Sequence, residues 1–176
     1  QIYSGFINTT WKPIPLFYIN TGIRISKYNE YNKIIYDPRV GFKFNPNANL
    51  ALKFTVGRYS QFLYTINQEE ELLRIVDFWQ PIPKGQKPQE NIHYIIGSEY
   101  WISNGNTLSI EAYYKDYLHI YDLNPMASLD DIEGTLAIAG KAQGYGIEFL
   151  YRLRLDKLSG WISYAYSDIK RTVDLN

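Results

Sequence analysis

Segments of about 10 to 13 residues with alternating apolar and polar side chains recur along this chain. The connections between these segments are alternately short and long. The short ones are polar turns at residues 12–15, 45–49, 104–106 and 156–160. The long ones run over about residues 61–92 and 121–140, with a shorter one at 29–32. This regular succession of hairpins predicts an all-β, antiparallel fold.

The pattern predicts about eight strands, at residues 2–11, 16–27, 34–44, 50–59, 93–103, 107–118, 143–155 and 161–171. A tilted strand needs about 9–11 residues to cross the hydrocarbon core of a membrane. Strands of soluble proteins are usually about 5–6 residues long. The predicted lengths therefore favour strands that span a membrane, with the tight turns on one side and the long loops on the other.

Each predicted strand has one apolar and one polar face, because successive side chains on a strand point to opposite sides. A soluble sandwich buries its apolar face, whereas a membrane barrel turns it toward lipid. Large aromatic residues at strand ends and full charges in mid-strand on the polar face favour the barrel with a wet lumen. The residues predicted to face lipid are Phe42, Phe54, Ile110, Ile147 and Phe149.

Three of the four tryptophans flank short turns. Trp11 and Trp101 precede a turn, and Trp161 follows one, so all three lie at the same end of the predicted barrel. Tryptophan prefers the membrane–water interface because its ring is amphipathic. We therefore predict a membrane girdle of Trp11, Trp101 and Trp161, although strict alternation puts Trp101 on the polar face with Glu99.

Composition excludes several classes of protein. The chain of 176 residues is long enough for one domain, and its net charge of zero gives no indication of nucleic-acid binding. It contains no cysteine and no apolar run of about 18 residues that would predict a membrane-spanning helix. No signal peptide opens the chain, and Gln1 already leads into a strand, so we expect a mature, trimmed or partial chain.

No catalytic or metal-binding pattern is found, so we predict neither an enzyme nor a cofactor. His93 and His119 lie on different strands and lack the spacing of a metal motif. Residues 128–134 (SLDDIEG) lack the spacing of a calcium loop and are interpreted as a solvated loop. Residues 67–78 (NQEEELLRIVDF) predict a short amphipathic helix inside the first long loop, with its glutamates at the helix start.

Several motifs resemble the barrel of TonB-dependent outer-membrane receptors of the kind common in Bacteroidetes-type bacteria. The motifs occur in the family's order and cover most of the chain. They are 37–47 (DPRVGFKFNPN) with 50–53 (LALK) and 57–59 (GRY), 87–90 (KPQE) with 97–100 (GSEY), 108–116 (LSIEAYYKD), and 144–148 (GYGIE) with 158–167 (LSGWISYAYS).

This resemblance implies a larger assembly than the present chain. Such receptors close about 22 strands around an N-terminal plug. Residues 1–176 are then part of a single outer-membrane β-barrel domain, about eight strands of the larger barrel, without the plug. The implied function is capture of an extracellular ligand and its import across the bacterial outer membrane with energy supplied through TonB.

The resemblance also implies partners and a binding region. The partners are outer-membrane lipid, the TonB complex through the missing N-terminal part, a surface lipoprotein and a small ligand (a chelate, an oligosaccharide or a peptide); no nucleic acid is expected. The ligand would be bound at the outer ends of strands and in the loops. The candidate ligand-binding residues are Tyr59, Gln61, Phe62, Tyr64, Trp79, His119 and Tyr121. These aromatic side chains equally fit an outer membrane girdle.

Two other interpretations stay open from the sequence. One is a complete small eight-stranded outer-membrane barrel with a structural or adhesive role, whose lumen is filled by side chains. The other is a soluble all-β binding module. The order of the family-like motifs argues against the complete small barrel, and charge substitutions on the two faces of a strand would separate a membrane barrel from a soluble module.

Overall fold

The computed structural model describes residues 1–66, 78–123 and 137–173. All of their regular secondary structure is β. The ten strands are β1 (Ile2–Ile14), β2 (Phe17–Tyr28), β3 (Ile34–Asn47), β4 (Leu50–Gln61), β5 (Leu63–Ile66), β6 (Phe78–Pro81), β7 (Gln89–Ser103), β8 (Asn106–Leu123), β9 (Ala137–Arg154) and β10 (Ser159–Val173). Within the described ranges, no helix is long and apolar enough to cross a membrane.

Eight of the strands form one open antiparallel sheet in the order β1-β2-β3-β4-β7-β8-β9-β10. Each of these strands pairs with the neighbours expected from a succession of hairpins, and β1 and β10 are the two edges. The all-β, antiparallel prediction and the eight predicted strands are therefore confirmed. The sheet does not close on itself, which disagrees with a complete eight-stranded barrel.

The short turns all lie at one end of the sheet, called here the turn end. They join β1 to β2, β3 to β4, β7 to β8 and β9 to β10. The connections after β2, β4 and β8 lie at the opposite end, called here the loop end. In the turn between β7 and β8, Gly105 adopts a φ of 95°, a left-handed conformation that favours glycine because it has no Cβ.

The register of the sheet separates an apolar face from a polar face. One row of paired residues crosses all eight strands on the apolar face: Trp11, Ile19, Phe42, Phe54, Ile96, Ala112, Ile147 and Tyr166. The adjacent row on the polar face contains Tyr18, Lys43, Lys53, Gly97, Glu111, Glu148 and Ala165. Opposed residues on antiparallel strands share a face, so local alternation becomes a property of the whole sheet.

The first long connection contains a hairpin that was not predicted. Strands β5 and β6 form a two-stranded sheet of their own within it. The predicted helix at 67–78 falls on residues 67–77, outside the described residues, and its last residue, Phe78, begins β6. The SLDDIEG segment at 128–134 and the glutamates at 69–71 also lie outside the described residues.

The β5–β6 hairpin packs against the sheet at the loop end. The hairpin and the sheet are joined by a core cluster of six buried side chains: Tyr28, Ile35, Phe62, Tyr64, Ile82 and Tyr121. Tyr31, which is partly buried, packs against this cluster. The Tyr28 hydroxyl donates a hydrogen bond to the carbonyl of Ile82 at 2.7 Å, and the rings of Tyr28 and Phe62 lie 5.5 Å apart. Burial of these large side chains stabilises the hairpin against the strands that carry Tyr28, Ile35 and Tyr121.

Candidate functional site

A cavity of about 300 Å³ lies at the loop end, between the β5–β6 hairpin and the sheet. Its volume is at the lower end of the range typical of small-molecule sites. The lining residues come from five strands of the sheet and from the hairpin: Gln61, Thr65, Trp79, Gln89, Glu90, Asn91, Tyr117, His119, Ile120, Tyr121, Ala142, Ile169 and Arg171. We name this space the loop-end cavity.

Irregular strand pairing shapes the wall of the cavity. The register of β7 and β8 shifts between Glu90 and Asn91, and that of β8 and β9 shifts between Tyr117 and Ile120. A bulge of this kind bends the strand and redirects its side chains. The wall is completed by Thr65 and Trp79, which face each other as a pair across the β5–β6 hairpin.

The carboxylate of Glu90 is the most buried charge of the site, with 4% of its side chain exposed. Its Oε1 lies 2.5 Å from Arg58 Nη2, and its Oε2 lies 2.8 Å from Lys87 Nζ. Burial alone would raise the pKa of Glu90, but the hydrogen bonds and charges of Lys87 and Arg58 outweigh burial and lower it. Glu90 is therefore an ionised group with both oxygens already paired.

Tyr121 connects the wall of the cavity to the core cluster. Its hydroxyl donates a hydrogen bond to the carbonyl of Lys87 at 2.7 Å and lies 3.2 Å from His119 Nε2. Its ring lies 5.8 Å from that of Tyr64. Burial raises the pKa of Tyr121 to about 12, with further contributions from Tyr31 and Tyr64, so the phenol is neutral.

The His119 ring stands edge-on to Tyr121, with the ring centroids 5.2 Å apart. Burial lowers the pKa of His119, and the charge of Lys87 adds to this effect, while Glu90 opposes it. His119 is thus a neutral imidazole at pH 7, able to donate one hydrogen bond and accept another.

The structure divides the seven predicted ligand-binding residues into three groups. Gln61, Trp79, His119 and Tyr121 line the loop-end cavity. Phe62 and Tyr64 lie in the core cluster, 5% and 6% exposed, where they hold the hairpin. Tyr59 is absent from the lining, and its ring is tilted against that of His93, with the ring centroids 4.6 Å apart. Binding by these residues stays a prediction, and the geometry gives Phe62, Tyr64 and Tyr59 supporting positions.

Several lining residues were missed from the sequence, chiefly Gln89, Glu90 and Asn91. The predicted fifth strand began at His93, whereas β7 begins at Gln89. The signal was present, because the alternation continues outward from His93 through Asn91 to Gln89. The ion pair of Glu90 with Arg58 has no such local signal, because it joins residues 32 positions apart.

The five residues predicted to face lipid all lie on the apolar face. Phe42, Phe54 and Ile147 belong to the apolar row, and Ile110 is paired with Phe149 on the same face. Phe54, Ile110, Ile147 and Phe149 are each at least 36% exposed. Their contact with lipid stays a prediction.

The predicted girdle of three tryptophans stays a prediction, and the register divides its members between the two faces of the sheet. All three lie at the turn end, but only Trp11 belongs to the apolar face. Trp161 is paired with Arg152, which is paired with Thr107, which is paired with Trp101. Trp101 and Trp161 therefore share the polar face, and the register leaves Trp11 as the only one of the three on the face predicted to meet lipid.

No group of three or more potential metal ligands is present among the described residues. The His93 ring lies between two aromatic rings, tilted against Tyr59 with the centroids 4.6 Å apart and edge-on to Tyr117 with the centroids 6.4 Å apart. Within the same part of the chain, the buried Nε2 of His93 and Oδ1 of Asn91 have no hydrogen-bond partner. The site thus offers aromatic surfaces, amides and neutral hydrogen-bonding groups, which suit binding.

Solved structures share this fold. The siderophore receptor PirA from Pseudomonas aeruginosa matches with a TM-score of 0.67 and 12% sequence identity, over 98% of this chain and 36% of that chain. The RagAB peptide importer in the "closed-closed" state matches with a TM-score of 0.60 and 14% identity, over 98% of this chain and 22% of that chain. This chain therefore spans about a third of the PirA chain and about a fifth of the matched RagAB chain.

Among curated proteins, none has a sequence significantly similar to this chain. The family "TonB dependent receptor-like, beta-barrel" matches residues 1–176, the full length of the chain. The open antiparallel sheet, with its apolar and polar faces and its long connections at one end, agrees with that match. The chain belongs to the TonB-dependent receptor-like β-barrel family.

Proposed function

We propose that this chain forms part of the wall of a receptor in the bacterial outer membrane, which binds an extracellular ligand and imports it with energy supplied through TonB. The observation that carries the proposal is the family match over the full chain. The turn end faces the periplasm and the loop end faces the outside. The apolar face meets lipid and the polar face borders the lumen.

The strands are long enough for this orientation. About ten residues next to the turn end suffice to cross the hydrocarbon core. Strands β7 to β10 have 15 to 18 residues, so they extend beyond the membrane at the loop end. Glu90, His119 and Tyr121 lie in these outer extensions, and the loop-end cavity is then open to ligands that arrive from outside.

The loop-end cavity is the proposed place of ligand binding. It lies on the wall of the lumen, beside a hairpin that is fixed by the core cluster. A rigid site of this kind binds without the cost of ordering a loop. The protein then carries out transport and no chemical reaction, and it needs no cofactor.

The proposal includes partners outside this chain. Energy would reach the receptor through a TonB complex, which engages a part of the protein other than residues 1–176. A surface lipoprotein is the second proposed partner. Such a partner would contact the loop end, where the long connections lie.

Uptake by cells tests this function. The full-length receptor would be produced in cells that lack other receptors, and the cells given radiolabelled probes of three classes: a ferric chelate, neutral oligosaccharides and short peptides. We expect receptor-dependent accumulation of at least one class, which falls to the level of receptor-deleted cells when TonB is removed. Accumulation that persists without TonB, or none with any class, would refute the proposed function.

A further inference from the structure

We infer that the loop-end cavity is built for a neutral ligand rich in hydroxyl groups, a carbohydrate, and not for an anionic chelate or a charged peptide. This inference rests on the proposed function, and it names the class of ligand for the same site. Three features of the lining carry it: its charges, its hydrogen-bonding groups and its aromatic surfaces.

The charges of the cavity are already engaged. Glu90 and Arg171 are the two residues with a full charge among the described lining residues. Both oxygens of Glu90 are paired, with Arg58 and with Lys87. Arg171 also makes an interaction of its own. An anionic chelate or a charged peptide needs uncompensated opposite charge, because its own charge loses hydration on binding.

The remaining polar groups of the lining are neutral and offer both donors and acceptors. Gln61, Thr65, Asn91, Tyr117 and His119 supply amide, hydroxyl and imidazole groups. Asn91 also lines the cavity, and its buried Oδ1 has no hydrogen-bond partner among the described residues. Sugar hydroxyl groups each donate one hydrogen bond and accept others, so a neutral lining of both kinds matches them without a net charge.

An aromatic surface stands beside these groups. Trp79 is 54% exposed although it belongs to a hairpin that is fixed against the sheet. The C–H face of a sugar ring packs against an indole ring, while the hydroxyl groups at its rim reach toward polar side chains. An exposed tryptophan beside neutral hydrogen-bonding groups meets both requirements of such a ligand.

Other places on the described surface give weaker indications of a ligand site. Glu111 and Glu148 are opposed on the polar face, as are Lys43 and Lys53, but nothing at these pairs identifies a ligand. The space beside Tyr28 and Ile82 is lined chiefly by the apolar side of the hairpin and offers few groups that would select a ligand. The loop-end cavity alone among these brings together aromatic surface, paired charge and neutral polar groups.

Direct binding to the purified full-length receptor tests the inference. The probes are maltoheptaose, cellohexaose and mannohexaose as neutral oligosaccharides, the ferric complex of an anionic catecholate, and a short charged peptide. Binding is measured by calorimetry, with each probe at up to about 1 mM, the range of weak specific binding. Native folding of each variant is verified by heat-modifiable migration in gels.

The expected result is binding of at least one neutral oligosaccharide that weakens about tenfold or more in Trp79→Ala, since a stacking surface is removed. Trp161→Ala is the matched control, because Trp161 is a still more exposed tryptophan at the opposite end of the sheet, 70% exposed. It should leave binding unchanged. Asn91→Ala should weaken binding by a smaller factor.

Three results would overturn the inference. One is binding of the chelate or the peptide and of no oligosaccharide. The second is binding of an oligosaccharide that Trp79→Ala leaves unchanged, which would place the site elsewhere. The third is no binding of any of the probes. If the first result is found together with uptake that depends on TonB, the carbohydrate inference fails and the proposed import function stands. Failure of the inference can therefore be distinguished from failure of the proposed function.

Discussion

Arg58 and Glu90 form an ion pair across neighbouring strands, with Arg58 Nη2 2.5 Å from Glu90 Oε1. Glu90 is almost completely buried, whereas the Arg58 side chain is 38% exposed. Lys87 completes the pairing on the other carboxylate oxygen. The pair joins the end of β4 to the start of β7 at the point where the first long connection leaves and rejoins the sheet.

The substitution Glu90→Gln should destabilise the loop end. It removes the charge that both Arg58 and Lys87 face, and a buried hydrogen bond to a charged group contributes about 1.5–3 kcal/mol. We expect a lower urea midpoint for the full-length receptor. The matched control is Glu99→Gln, which breaks the more exposed pair with Lys53 at 2.6 Å and should cost about 1 kcal/mol or less. Equal losses in the two variants would contradict the role assigned to burial.

The contribution of Glu90 should depend on pH. Its pKa in the folded protein is lowered below the ordinary value of 4.5, so the unfolded chain binds the proton more readily. The stability that the carboxylate adds is therefore fully present above that value and is lost as the pH falls through the lower, folded pKa. Urea midpoints of the wild-type receptor and Glu90→Gln, measured from neutral to acidic pH, should converge below about 4.5. A constant difference over the whole series would argue against the assignment.

The core cluster should hold the β5–β6 hairpin against the sheet. Phe62 is 5% exposed, and truncation of a buried phenylalanine to alanine costs about 3–5 kcal/mol. We expect Phe62→Ala to release the hairpin, seen as faster hydrogen exchange of the Ile82 amide, which donates to the Phe62 carbonyl at 3.0 Å. Leu63→Ala changes the next residue, 39% exposed, and should leave that exchange rate unchanged. Exchange at the wild-type rate in Phe62→Ala would show that the cluster does not hold the hairpin.

Gly146 should be sensitive to the smallest addition of volume. A Cβ at this position would lie 2.5 Å from the Tyr113 hydroxyl oxygen and 2.6 Å from the Tyr166 carbonyl oxygen. Because one of these atoms belongs to the backbone, Gly146→Ala should cost about 1–3 kcal/mol, measured as a lower urea midpoint. At Gly5, an added Cβ meets nothing within 4 Å, so Gly5→Ala is the matched control and should be neutral. If Gly146→Ala is neutral, Tyr113 and the backbone at Tyr166 must move away from the added methyl group at little cost.

Arginine substitutions at two adjacent residues of β8 should distinguish the face that meets lipid from the face that borders the lumen. Ile110 lies on the apolar face opposite Phe149, and arginine at a lipid-facing position near mid-membrane costs about 2–4 kcal/mol. Ile110→Arg should therefore reduce the folded fraction of the full-length receptor in outer membranes, measured by heat-modifiable migration in gels. Ser109→Arg should be tolerated, because Ser109 lies on the polar face opposite Glu99. Equal tolerance of the two changes would refute the membrane orientation.

The sequence identified all eight strands of the main sheet, and the five residues that it predicted to face lipid lie on one face of that sheet. Alternation is a local property of an extended backbone, so Ile110 and Phe149 could be placed on a face from their own strands alone. The short turns could be read for the same reason, since residues such as Gly105 are chosen by the backbone of the turn itself. These features depend on near neighbours in the chain and on nothing else.

Tertiary structure decided what the local pattern leaves open. Trp161 was assigned to the girdle by its position next to a turn, but the register pairs it with Arg152 and places it on the polar face. The β5–β6 hairpin and the burial of Phe62 and Tyr64 depend on contacts with Tyr28 and Tyr121, far away in the sequence. The charge of Glu90 is balanced by a residue 32 positions earlier. Strand register and loop packing follow from long-range pairing, which alternation along one strand does not encode.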